Sequence, residues 1–403
     1  MDNGILAGLR VVDCGTYIAA PAAAVVMSDF GAEVIKIERP PYGDPYRYIG
    51  LVPGMPVSPL PYCWILDGRN KKSVALDLND HDAREALVAI IRSADVFITN
   101  YQGPLVQKFR VAYHDLTQHN PRLIYAHLTG YGEIGDDCDQ PGYDMTAYWA
   151  RSGLMQTMHN ANTEPSPSPA GFGDHPTSMA LFGGIMLGLY RRAITGQGMN
   201  LTTSLMANGA WANSCNIQAA LVGAEFLPKS TRSTTTNPIV NHYLTRDRQR
   251  FITCCLDPKK DWPNLCRALD HPELIDDPRF RTPELRRANG PELVAIIDAS
   301  VGSKDMAEWR EILRLNDVIW GPVPGTQQAA RDPQMEANGV FSEIEPGLRT
   351  VSNPLTVAGV EKVKPSMAPK VGQHTTEVLL SVGLSKEAIQ EMCASGAALD
   401  GSA

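Results

Sequence analysis

Apolar and amphipathic stretches take turns along the first half of the chain, and their periods predict strands and helices in alternation. Residues 9–13 form a short, mostly apolar run that reads as a buried strand. Residues 19–30 are rich in small side chains and predict a helix with Pro21 in its first turn, where the missing N–H costs nothing. Residues 33–38 alternate with period two and predict a second strand. Strands over 73–78, 95–99, 123–129 and 199–203 follow, separated by helices over 80–93, beyond Asn100 to Lys108, and from Asp174 to about Ile194. Gly196 offers that last helix a left-handed stop, and another helix runs to about Val222. Such alternation predicts an α/β fold, with a mainly parallel sheet covered on both faces.

The pattern then changes. A Ser/Thr-rich connector spans 228–238. Runs at 239–244 and 250–256 flank a polar turn and predict an antiparallel hairpin. Charged helices are predicted over 291–299 and 304–315, the second capped by Ser303. These features predict three regions: a large domain over 1–224, a small α+β domain over 225–335, and a segment 336–403 whose helices at 374–382 and 385–394 return to the large domain.

Bulk composition narrows the function. The 403 residues are 43% hydrophobic and 20% charged, with a formal charge of −8. A mildly acidic chain without basic blocks gives no support to nucleic-acid or anionic-membrane binding. The longest apolar run, broken by Gly183, Gly184 and Gly188, falls short of the about 20 residues that span a bilayer. No signal-peptide pattern opens the chain, so a cytoplasmic protein is expected. Eight scattered cysteines without CxxC spacing predict reduced thiols rather than disulfides or a metal site.

Three stretches carry candidate chemistry. The loop 39–47 brings Arg39 and Arg47 with two tyrosines to a strand end, where open α/β sheets bind ligands. Arg69-Asn70-Lys71-Lys72 opens the next strand with charges suited to phosphates, or to a solvated turn. Ala170-Gly171-Phe172-Gly173-Asp174-His175-Pro176-Thr177 places a carboxylate where a loop becomes a helix, as nucleophile or as helix cap. The first strand–helix–strand unit lacks the GxGxxG fingerprint between Asp13 and Pro21, which counts against a dinucleotide oxidoreductase.

The order of short motifs along nearly the whole chain resembles family III CoA-transferases, the group of formyl-CoA and carnitine CoA-transferases and related acyl-CoA racemases. Those motifs are the opening from Leu6 to Asp13, Ala20-Pro21, the run from Gly31 to Pro40, Asn70-Lys71-Lys72-Ser73, Gly130-Tyr131-Gly132, Gly142-Tyr143-Asp144, Thr195-Gly196-Gln197-Gly198 and Gly372-Gln373-His374-Thr375. Within the family, the sequences around Ile18 and Asp174 look most like the (R)-2-hydroxyacyl-CoA transferases. The resemblance implies a large Rossmann-like domain that binds CoA, a smaller α+β domain, and two chains interlocked in a homodimer. It implies that Asp174 is the nucleophile and forms acyl-anhydride and CoA-thioester intermediates. It places Ile18, Ala19, Arg39, Asn70, Lys71, Lys72, Asn100, Lys108 and Tyr143 around coenzyme A or acyl-CoA, with a carboxylic acid as co-substrate and no metal. Ile18 stands where formyl-CoA transferase carries glutamine, which disfavours formyl or oxalate chemistry. Tyr143 stands where the racemases carry a histidine, which disfavours racemisation. A racemase of this fold and a CoA-binding protein without turnover remain the competing readings.

Overall fold

In the computed structural model, residues 4–402 are described. They divide into two compact units. One takes the chain up to Thr157, Pro167–Gly223 and everything from Gly339; the other takes Met158–Ser166 and Ala224–Asn338.

The first unit holds strands β1 (Arg10–Asp13), β2 (Glu33–Glu38), β3 (Lys71–Leu76), β4 (Val96–Thr99), β5 (Ile124–Thr129) and β6 (Met199–Ser204). Its first seven helices are α1 (Ala19–Asp29), α2 (Tyr62–Gly68), α3 (His81–Ile91), α4 (Gly103–Phe109), α5 (Tyr113–Thr117), α6 (Leu154–Thr157) and α7 (Asp174–Thr195). The six strands pair in parallel in the spatial order β3-β2-β1-β4-β5-β6. This is the doubly wound order, whose chain reverses direction across the sheet between β1 and β4. One core packs β-strand side chains such as Ile35, Val74 and Phe97 against α3, and a second packs Val11, Ile98 and Ala126 against α1 and α7.

Strands β7 (His242–Leu244), β8 (Arg250–Thr253) and β9 (Trp320–Pro322) belong to the second unit; β10 (Phe341–Glu345), β11 (Leu348–Val351) and β12 (Ala398–Leu399) belong to the first. The predicted hairpin is β7–β8, and β9 extends it into a three-stranded antiparallel sheet. Tyr243, Phe251, Trp262 and Trp309 fill the core of that unit. The helix expected after Ser303 spans Met306–Leu315, and Asp305 rather than Ser303 precedes it. The Glu308 carboxylate accepts the Asp305 N–H at 2.8 Å, which fixes the helix start two residues later than the sequence pattern suggested.

The tail contributes something that the sequence pattern did not predict. β12 pairs antiparallel with β3, so the exposed edge of the parallel sheet is covered. Thr375 Oγ1 accepts the Ala75 N–H at 3.0 Å, and the His374 N–H donates to the Ser73 carbonyl at 2.9 Å. Among the described residues no helix is long and apolar enough to cross a membrane.

Candidate active site

Polar side chains cannot stay unpaired inside a two-faced parallel sheet, and here they build the floor of a site. Lys71 Nζ donates to Asp13 Oδ2 and to the Pro21 carbonyl, both at 2.8 Å. Lys36 Nζ sits 3.7 Å from Asp13 Oδ1 and 2.9 Å from Asp44 Oδ2, and donates to the Gly15 carbonyl. All four side chains are buried. Burial alone raises the Asp13 carboxyl, but the two ammonium groups outweigh it and hold the carboxyl below its ordinary value. The two lysines and two aspartates thus offset each other and tie the carboxyl ends of β1, β2 and the start of β3 to the loop after β2.

That network shapes the turn between β1 and α1. Asp44 Oδ1 accepts the N–H of Tyr17 at 3.1 Å and of Tyr46 at 2.9 Å. Tyr17 has φ of +61°, a left-handed conformation uncommon for a bulky residue, and Asp44 holds it there. On the other side of the turn, Asn100 follows β4. Its Oδ1 accepts the Thr16 N–H and its Nδ2 donates to the Thr16 carbonyl, each at 2.8 Å. The turn therefore lies at the β1/β4 switch, where doubly wound sheets bind their ligands. α1 begins at Ala19 with Ile18 in the cap position, and Pro21 has no N–H, so Ile18, Ala19 and Ala20 present the free donors of the helix start.

Asp174 is the first residue of α7, and Gly173 occupies the cap position. Gly173 rather than Asp174 takes the cap position, and among the described residues the Asp174 carboxylate has no hydrogen-bond partner, so the helix-cap reading of this residue does not hold. Two glycines permit the approach. Gly171 has φ of +74°, and Gly173 lies so near Tyr148 that a Cβ would meet its ring Cγ at 2.2 Å. A Cβ on Gly171 would lie 3.5 Å from Ile18 Cδ1, which places the α7 entrance beside the β1–α1 turn. Asp144, buried at the start of a π-helical turn Asp144–Ala150, accepts the Gly173 N–H on Oδ1 at 3.1 Å. Burial pushes the Asp174 carboxyl up to about 7; the Asp144 and Asp67 carboxylates add to the rise and the His175 ring opposes it.

The residues expected around CoA fall into two groups. Ile18 and Ala19 form the buried start of α1, and the half-exposed Tyr143 ring meets Tyr17 edge-on at 5.3 Å. Arg39, just past β2, and Lys108, in the last turn of α4, are exposed, and neither is ion-paired among the described residues. The other four have their polar groups engaged within the chain. Asn100 clasps Thr16, and Lys71 is sealed against Asp13. Lys72 bridges Glu33 at 2.9 Å and Glu377 at 2.7 Å, and Asn70 Oδ1 accepts the Ser366 N–H at 2.6 Å. Sequence reasoning passed over Asp67, Asp44, Asp13 and Lys36. For Asp13, Lys36 and Asp67 the available signal was a polar residue among mostly buried neighbours in a strand or helix, which obliges each group to have a partner; Asp44, in the loop after β2, carried no such signal. Among the described residues no group of three or more His, Cys, Asp or Glu side chains is placed to hold a metal ion.

Comparison with known proteins fits this geometry. Residues 6–375 match the family described as CoA-transferase family III. The chain is 33% identical to the (R)-2-hydroxy-4-methylpentanoate CoA-transferase of Clostridioides difficile, covering 96% of this chain and 97% of that one. It is 32% identical to the cinnamoyl-CoA:phenyllactate CoA-transferase of Clostridium sporogenes, covering 97% and 96%. A CaiB/BaiF family protein of Brucella suis superposes with a TM-score of 0.83 at 25% identity, covering 94% of this chain and 100% of that one. The chain belongs to CoA-transferase family III and is a CoA-transferase whose substrates are CoA thioesters.

Proposed function

We propose that this enzyme moves CoA from an acyl-CoA to a free carboxylic acid by covalent catalysis on Asp174. The observation that carries the reading is a helix-entry carboxylate with no capping duty, at the switch point of a doubly wound sheet and beside free backbone donors. An Asp174 oxygen attacks the thioester carbonyl carbon, the C–S bond breaks, and CoA thiolate leaves behind an acyl-aspartyl anhydride. The thiolate attacks the aspartyl carbonyl and releases the first acid, leaving an aspartyl-CoA thioester. The acceptor carboxylate attacks that thioester and expels the thiolate. The thiolate then attacks the acyl carbonyl of the new anhydride, which gives the second acyl-CoA and restores Asp174. The N–H groups of Ile18 and Ala19 suit the oxyanion of each tetrahedral intermediate. Fixed orientation at the α7 entrance supplies the reach that a weak carboxylate nucleophile needs.

The surroundings favour a sizeable, weakly polar acyl group. Ile18, Ala22, Tyr46 and Trp64 form an apolar cluster with Tyr17 and Cys63, and Phe172 stands half-exposed against Trp149 at 5.3 Å. A 2-hydroxyacyl or aryl 2-hydroxyacyl pair fits this lining, in keeping with the acids named in the two clostridial relatives. Arg39 and Lys108 take the CoA phosphates as exposed point charges. A homodimer is part of the same reading: Leu187, Tyr190 and Ile194 on α7 and the nearby Trp211 are each more than two-thirds exposed, a face that calls for a partner. Eight free cysteines suit a reducing, cytoplasmic location.

Incubation with acyl-CoA followed by intact-protein and peptide mass spectrometry tests the chemistry. A CoA or hydroxylamine-derived adduct on Asp174, absent in Asp174→Ala together with all CoA exchange, is the expected result. Undiminished exchange by Asp174→Ala overturns the reading.

A further inference from the structure

The residue after the nucleophile is held by a carboxylate that the transfer chemistry leaves unused. His175 Nδ1 lies 3.2 Å from the Gly171 carbonyl oxygen, and Nε2 lies 3.3 Å from Asp67 Oδ1. A carbonyl oxygen and an ionised carboxylate only accept hydrogen bonds. Both ring nitrogens therefore donate, which only the imidazolium can do. Asp67 sits on α2, its side chain 3% exposed, and its second oxygen accepts the hydroxyl of the buried Tyr46 at 2.9 Å. Cys63 lies beside Tyr46 in the same cluster. Gly171 completes the holder: a Cβ there would come 3.2 Å from His175 Nδ1.

We infer that Asp67 and the Gly171 carbonyl hold His175 as a fixed cation beside Asp174, and that this pair positions charge so that anions can enter and react. The inference rests on the proposed role of Asp174 and assigns the charge balance of that site. Asp67 on α2 and Asp144 in the π-helical turn both act electrostatically on the Asp174 carboxyl. Transfer brings in two more anions, the acceptor carboxylate and the CoA thiolate. Without a local cation, ionised Asp174 and an arriving carboxylate repel each other and their shared carboxylate neighbours. His175 is the cation next to Asp174, and its side chain is 42% exposed; the buried Lys71 ammonium on β3 also acts on Asp67, but it is already paired with Asp13. The electrostatics agree in direction. Burial works against charge on His175, but the Asp67 carboxylate outweighs it and raises the ring to about 9. His175 in turn lowers the Asp174 carboxyl, against burial and Asp144.

The test is the pH dependence of kcat/KM for CoA exchange in the wild type, His175→Gln and Asp67→Asn, with ring NMR of His175 as a readout independent of turnover. The His175→Gln variant keeps a side chain of similar reach on a partly exposed position, so it preserves the fold. It is expected to move the acid limb up by a unit or more, lose the alkaline limb, and drop kcat/KM at pH 6 about tenfold. In Asp67→Asn the alkaline limb and the His175 ring titration are expected to move down from about 9 toward the ordinary histidine value of 6.5. A wild-type ring that titrates near 6.5, or limbs unmoved in His175→Gln, overturns the inference even where Asp174→Ala abolishes exchange. A uniform drop of kcat/KM at every pH in His175→Gln, with unshifted limbs, assigns the residue a packing role and equally overturns it.

Discussion

Asn100 closes two hydrogen bonds of 2.8 Å on the backbone of Thr16, one from its amide oxygen and one from its amide nitrogen, across the β1/β4 switch. The side chain thus imitates a strand partner and fixes the turn that leads into Ile18 and Ala19. Asn100→Ala frees both Thr16 groups. We expect a loss of roughly 1–3 kcal/mol in stability, read by urea unfolding. Drift of the turn is expected to lower kcat/KM by about ten- to a hundredfold. The Asn100→Asp variant keeps the acceptor and loses the donor, and falls between the two.

Gly173 bears the tightest approach at the site. A methyl group there overlaps the Tyr148 ring, so Gly173→Ala has to displace the ring or the start of α7. Overpacking of this kind costs about 1–3 kcal/mol, and the displaced nucleophile is expected to lose nearly all activity. Tyr148→Leu in the same chain opens space for the methyl group and is expected to restore part of the thermal stability in a melting experiment.

Asp174 destabilises the fold that positions it. Its carboxyl titrates at about 7 in the folded state against the ordinary 3.8, because burial and the nearby Asp144 carboxylate disfavour its charge. The folded chain therefore holds this proton more tightly than the unfolded chain. The contribution is intact below about pH 4 and is lost as pH rises through about 7. Asp174→Asn keeps the group neutral. Its Tm is expected to exceed the wild-type value by a few degrees at pH 8, with the difference gone at pH 4.

The exposed cations divide by their partners. Arg39→Ala and Lys108→Ala are each expected to raise KM for acyl-CoA by about three- to tenfold with kcat little changed. Added salt is expected to blunt the difference between variant and wild type. Lys72→Ala breaks only surface pairs with Glu33 and Glu377 and is expected to leave KM within twofold, a steady-state comparison that separates the two groups.

Lys71 belongs to the sheet. Lys71→Met leaves Asp13 with one buried ammonium in place of two, a change worth about 3–5 kcal/mol. Reduced yield and a much lower unfolding midpoint are expected. Asp13→Asn combined with Lys71→Met removes both charges and is expected to recover part of the loss in urea unfolding.

Several features were legible in the chain because they depend on local periodicity. The period-two run at β2, the small-residue helix α1, the left-handed stop at Gly196 and the long helix after Asp174 follow from side chains within a turn or two of each other. The glycines at 171 and 173 also marked the α7 entrance as a place of close approach. The sequence spacing could not show where Lys71, Lys72, Asn70 and Asn100 spend their hydrogen bonds, because each partner lies dozens of residues away or more.

The amino-acid sequence by itself determined the alternation of strand and helix, the change of character after residue 224, and the carboxylate at a loop–helix junction, since each is written in short-range pattern. Only the tertiary structure decided that Asp174 is free of capping duty and that Asp67 holds His175 in its charged form. The same holds for Lys36 and Lys71, whose ammonium groups join a buried ion network with Asp13 and Asp44. Burial removes water as a partner, so a polar group must take whatever the fold brings within about 3 Å. That choice is made by strand order across the sheet, which no run of neighbouring residues encodes.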